Sequence, residues 1–107
     1  MEQHFNRAQM VYIAQLTAKK APLKGQRAEF EVIEIFKGNP GNFVELQTRW
    51  GGGDCGIPFN VGSSYAVYQG ASNRIDMCDG SKELYTQDLY LRVTEKLRAI
   101  ASSKEEP

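Results

Sequence analysis

Over residues 10–17 the apolar positions alternate. Met10, Tyr12, Ala14 and Leu16 repeat every second residue, which puts them on one face of a strand. A second strand is predicted from Arg27 to Lys37. There Phe30 and Val32 share a face, while Ile33 and Ile35 fall out of phase with them. A β-bulge at Val32-Ile33 would bring all four to one side and bend the strand, as in small barrels; the other reading is a strand buried on both sides. Gly38-Asn39-Pro40-Gly41 is a strong turn. It leads into Phe43 to Thr48, a third strand with Val44 and Leu46 on one face, so a hairpin is predicted. Residues 49–62 are an irregular connection rich in glycine. Ser64 to Tyr68 reads as a fourth strand and Arg74 to Cys78 as a short fifth.

The period then changes. Leu89, Val93, Leu97 and Ile100 recur at helical spacing. Thr86 suits the N-cap, Asp88 the first turn, and Lys96 and Arg98 the later turns. A helix is predicted from about Gln87 to Ser102, followed by a polar tail at about 102–107. Glu2 to Gln9 suits a short helical turn, and Lys19 to Gly25 a loop. The 107 residues make one domain. Five strands and a terminal helix in this order predict an all-β fold, a five-stranded Greek-key OB-fold barrel packed by the C-terminal α-helix. An α+β sandwich with one helix-covered sheet fits the same pattern.

Thirteen basic residues balance thirteen acidic ones. Nucleic-acid binding needs clustered cations, and only Lys19, Lys20, Lys24 and Arg27 approach a cluster. No run approaches the ~20 apolar residues of a spanning helix. The polar start Met1-Glu2-Gln3-His4 has no signal-peptide character. It suits a cytosolic protein, or a mature domain with an added Met.

Few side chains suggest catalysis or a cofactor. His4 is the only histidine and has no orienting partner near it in sequence. Gly51-Gly52-Gly53 lacks the Lys-Ser/Thr of a phosphate loop and is followed by a carboxylate, Asp54. Asp54, Cys55, Cys78 and Asp79 include possible metal ligands, but each cysteine stands alone, without the short spacings of zinc sites. No metal, no cofactor and no catalytic residue is therefore expected. Trp50, beside Arg49, suits a protein contact, since both residue types are enriched at binding hot spots. Tyr65 and Tyr68 suit core packing better than base stacking. A bridge between Cys55 and Cys78 would contribute about 3.4 kcal/mol by chain entropy and imply an oxidising compartment. Two reduced thiols in the cytosol are the alternative.

The stretch from Asp54 to Tyr68, beginning Asp54-Cys55-Gly56-Ile57-Pro58-Phe59, resembles the core of the netrin-like domain, the family that includes the tissue inhibitors of metalloproteinases. Cys78-Asp79-Gly80-Ser81 is similar to that family's next cysteine, and Glu31 to Gly38 to its second strand, which often ends in Lys-Gly. Phe5, Ala8, Val11 and Ala14 resemble its first helix and strand. The resemblance implies an OB-fold barrel in a secreted or periplasmic protein. It also implies a contact ridge just before the Cys-Gly cysteine, at Gly52, Gly53 and Asp54. The inhibitors chelate a protease's zinc through an N-terminal cysteine, and this chain lacks the N-terminal Cys-x-Cys. The family's early cysteines pair with those matched here by Cys55 and Cys78. In this chain those two would bond to each other or to partners upstream. The expected function is thus a non-catalytic exported domain that binds a protein partner through Arg49, Trp50, Gly52, Gly53 and Asp54. The alternatives are direct metalloprotease inhibition and single-stranded nucleic-acid binding.

Overall fold

The computed structural model describes residues 2–20, 25–49 and 55–105. Its elements are α1 (Glu2–Arg7), β1 (Met10–Lys20), β2 (Gln26–Lys37), β3 (Phe43–Thr48), β4 (Ser64–Gln69), a 3-10 turn (Met77–Asp79), β5 (Lys82–Leu84) and α2 (Gln87–Glu105). The strands form one antiparallel sheet in the order β3-β2-β1-β4-β5. Three sequential strands with the fourth returning beside the first make the Greek-key order. The sheet is not closed into the expected barrel: β3 and β5 stand at opposite margins. One parallel bridge, Gln47 to Arg74, joins β3 to the segment after β4.

β1 lies between β2 and β4, and its side chains are buried on both faces. Tyr12, Ala14 and Leu16 point into a cluster with Ala28, Phe30, Leu46, Ile57, Phe59, Tyr65, Val67 and Ile75. Val11 and Ile13 point the other way, into a cluster with Phe5, Ala8, Ala66, Tyr68, Leu84, Val93 and Leu97. The period-two reading of β1 and β3 therefore holds, the expected fourth strand forms as β4, and each apolar face acquires its own cover.

The bulge in β2 also forms, at its expected place. The register steps from Ile13↔Glu34 to Ala14↔Val32, leaving Ile33 as the extra residue. The step brings Ile35 opposite Tyr12, in phase with Val32 and Phe30, but it does not gather all four side chains. Ile33 and Ile35 remain 47% and 44% exposed. A second step passes over Phe36, which packs against the helix-side cluster. The β2–β3 turn forms at Gly38, whose φ of +75° and close approach to Met10 and the Gln9 carbonyl leave no room for a side chain.

Three expected boundaries shift. β1 runs on through Lys19 and Lys20, which pair with Ala28 and Arg27, so these residues are not loop. α2 continues to Glu105, past the expected end at Ser102. The expected fifth strand at 74–78 is absent. The Met77 amide donates to the Cys55 carbonyl and the Asp79 amide to the Asp76 carbonyl, so this backbone turns instead of extending. The fifth strand is Lys82–Leu84, beside β4.

α2 begins where the sequence places it. The Leu89 amide donates to the Thr86 hydroxyl at 3.1 Å, the expected cap. Val93 and Leu97 are buried, with Leu89 and Ile100 packed beside them. Arg98 then reaches the bulged strand and donates twice to the Glu34 carboxylate, each at 2.7 Å. This fork holds the Glu34 carboxyl below its ordinary range.

Leu97 fixes the helix to the sheet, and Leu97→Ala is expected to cost about 2–5 kcal/mol in urea unfolding. The Glu34–Arg98 pair gives a pH signature. Because the folded pKa of Glu34 lies below the unfolded one, its stabilisation is present above the unfolded carboxylate pKa. It is lost as pH falls through the folded value. Stability should therefore fall more steeply on acidification in the wild type than in Glu34→Gln, a difference read from urea midpoints across the acid range.

Candidate functional site

The apolar face that carries Tyr12, Phe30 and Tyr65 is covered by residues 55–60, an extended strap without regular secondary structure. The strap inserts Ile57 and Phe59, both essentially fully buried. Each such side chain contributes about 1.5–3 kcal/mol of transfer free energy. Phe59, Phe30 and Tyr65 meet edge-to-face, with centroids 5.2–5.9 Å apart. The Tyr65 hydroxyl donates to the Pro58 carbonyl at 2.6 Å and accepts from the Asn60 amide at 2.8 Å. Burial pushes the Tyr65 phenol up to about 12.

An extended strap leaves its backbone polar groups without a ladder, so side chains must satisfy them. Gln26, the first residue of β2, does most of this. Its amide nitrogen donates to the Ile57 carbonyl at 2.9 Å and to the Arg49 carbonyl at 3.1 Å. Its amide oxygen accepts from the Phe59 amide at 3.1 Å. Thr48 is buried and accepts from the Ile57 amide at 3.2 Å. One glutamine thus holds the chain on both sides of the glycine-rich segment. No pattern in the sequence singles out Gln26: it is a polar residue next to a glycine, and its role depends on residues more than twenty positions away.

The bridge is the second anchor. Cys55 and Cys78 form a disulfide, with Cα atoms 5.6 Å apart. Cys55 has φ +65°, an arrangement that costs a residue with a Cβ about 1–2 kcal/mol. The Cys55 carbonyl accepts from the Met77 amide at 2.8 Å, alongside the bridge. The two sulfurs are bonded to each other and so are not thiolate metal ligands. The sequence left this pairing open.

Of the expected contact residues, Arg49 is described, whereas Trp50, Gly52, Gly53 and Asp54 lie outside the described residues. Arg49 follows β3 and is half exposed. Its Nε stands 4.0 Å from Asp76 Oδ1, an oxygen that accepts no hydrogen bond. The described residues on either side of positions 50–54 are each anchored, Arg49 by Gln26 and Cys55 by the disulfide.

His4 belongs to α1, within the short helical turn expected over Glu2 to Gln9. Phe5 is buried beneath the sheet, and Lys37 donates to the Phe5 and Asn6 carbonyls at 2.9 and 3.3 Å, capping the end of α1. The His4 ring tilts against Tyr68, with centroids 5.8 Å apart, and packs over Gly80. Two members of the candidate basic cluster, Lys20 and Arg27, face carboxylates. Lys20 lies 3.5 Å from Glu45 and 3.9 Å from Glu29, and Arg27 lies 4.0 Å from Glu45. Lys24 is outside the described residues. Tyr65 and Tyr68 are buried on opposite faces of the sheet, as core residues. Among the described residues no helix is long and apolar enough to cross a membrane.

No family model matches the chain, and no curated protein matches it.

The bridge closes a sequence separation of 23. Its replacement by Cys55→Ser with Cys78→Ser should lower unfolding free energy by about 3.4 kcal/mol in urea titration. No loss of stability would mean that Gln26 and Thr48 suffice to hold the strap.

Proposed function

We propose that this chain is a non-catalytic, netrin-like binding domain that works in an oxidising compartment, secreted or periplasmic. It engages a protein partner through Arg49, Trp50, Gly52, Gly53 and Asp54. The observation that carries this reading is the double anchorage of the glycine-rich segment, with Gln26 holding the chain at Arg49 and the bridge holding it at Cys55. Anchoring both ends of a short segment lowers the ordering cost of binding, and a tryptophan with an arginine supplies the usual content of a hot spot.

The OB-type relationship belongs to the same proposal. The Greek-key order and the parallel Gln47–Arg74 bridge support it, because that bridge joins β3 to the segment following β4, across the gap between the sheet margins. The Cys55–Cys78 pairing supports the exported setting, since disulfides persist in oxidising compartments. Single-stranded nucleic-acid binding is less well supported, because Lys20 and Arg27 face carboxylates.

A photo-crosslinking residue placed at Trp50 should capture a partner protein from the native compartment. The same residue at Leu91, an exposed position of α2, should not. Trp50→Ala combined with Asp54→Ala should then weaken binding of that partner at least tenfold in calorimetry. Equal capture from both positions, or unchanged affinity in the double variant, would remove the assigned surface.

A further inference from the structure

Beside Cys78 lies a recess of about 140 Å³ that no residue of the 55–60 strap lines. It is lined by His4, Arg7, Ala8, Tyr68, Gly70, Cys78 and Asp79. The two halves of the disulfide differ in access. Cys78 is exposed and lines the recess, whereas Cys55 is half-buried and does not. Thiol–disulfide exchange depends on which sulfur can be reached and on the charge that meets the incoming thiolate. Arg7 is permanently cationic and makes no ion pair among the described residues. His4 stands on the same helix, and Asp79 is the carboxylate that opposes them.

We propose that this recess receives an anionic low-molecular-weight thiol, and that Cys78 is the sulfur it attacks. The incoming thiolate forms a bond to Cys78 Sγ as the Cys55–Cys78 bond breaks. The electron pair leaves on Cys55 Sγ, which takes up a proton from water. One disulfide is consumed and one is formed, so no further oxidant or reductant is required. Arg7 draws the anionic thiol in and Asp79 limits that attraction. The product carries the small thiol on Cys78 and a free thiol on Cys55, which releases one of the two anchors of the 50–54 segment.

The test measures opening of the bridge in the folded chain by 3-mercaptopropionate, an anionic thiol, and by 2-mercaptoethanol, a neutral one. Each rate is divided by that thiol's rate on an unstructured disulfide peptide, which cancels intrinsic reactivity. An alkylating agent traps the freed sulfur. The anionic thiol should be favoured about three- to fivefold at low salt, with the preference fading as salt is added. Arg7→Gln should bring the ratio to about one, and Asp79→Asn should raise it. Both positions are exposed, and circular dichroism verifies that each variant folds. Trypsin cleaves after Arg49, Arg74 and Lys82, so the two cysteines fall in separate peptides. The mixed disulfide should lie on the peptide from Ile75 to Lys82. An adduct on the Cys55 peptide, a ratio indifferent to Arg7→Gln, or a bridge inert to both thiols in the folded chain would each overturn the proposal.

Discussion

The burial of β1 on both faces is the constraint on which the rest of the structure depends. Val11, Tyr12, Ile13 and Ala14 are all inaccessible to solvent, and they point alternately to opposite sides of the sheet. A strand of this kind needs two covers. On one side they are α1 and α2, which supply Phe5, Val93 and Leu97, with Ala8 just after α1. On the other the cover is the strap at 55–60, which brings only Ile57 and Phe59 and has no ladder for its backbone. The helical cover is stabilised by its own internal hydrogen bonds. The strap must borrow its partners from Gln26, Thr48 and Tyr65, and this need links the core to the candidate site.

The same side chain that satisfies the strap also holds Arg49. Gln26 reaches Arg49 at the end of β3 and Ile57 and Phe59 in the strap, so core packing and the anchorage of Arg49 are not separable. The disulfide acts at Cys55, fixing it in a left-handed conformation that a non-glycine residue rarely adopts. Cys78, the other half of the bridge, lines the recess that also holds Arg7 and His4.

Most of the fold was legible in the sequence because its period is local. The alternation in β1, the turn at Gly38 and the helical spacing from Leu89 to Ile100 each report on neighbouring residues. The fifth strand was misplaced because Ile75 between polar residues reads as a short strand, whereas one of the hydrogen bonds that turn the backbone there comes from Cys55, far away in sequence. The open sheet was missed for a related reason. Closure depends on how β3 and β5 are set at the margins, and neither strand's pattern carries that information. At the candidate site, Arg49 was legible from residue type and the cysteines from their count. Gln26 was not, since a clasp made by one amide to three distant backbone groups leaves no periodic trace. The recess at Cys78 was hidden in the same way, because His4 and Arg7 reach it only after α1 docks.

Hydrogen exchange at the Ile57 and Phe59 amides of the oxidised protein tests the central claim most directly, namely that the strap is an integral cover of the core and not a surface loop. Both amides should exchange as slowly as those of β1, because opening the strap exposes the face that carries Tyr12, Phe30 and Tyr65. Exchange at the rate of free backbone, with β1 still protected, would contradict it, because the strap would then open without the core and would not fix the segment it is said to anchor.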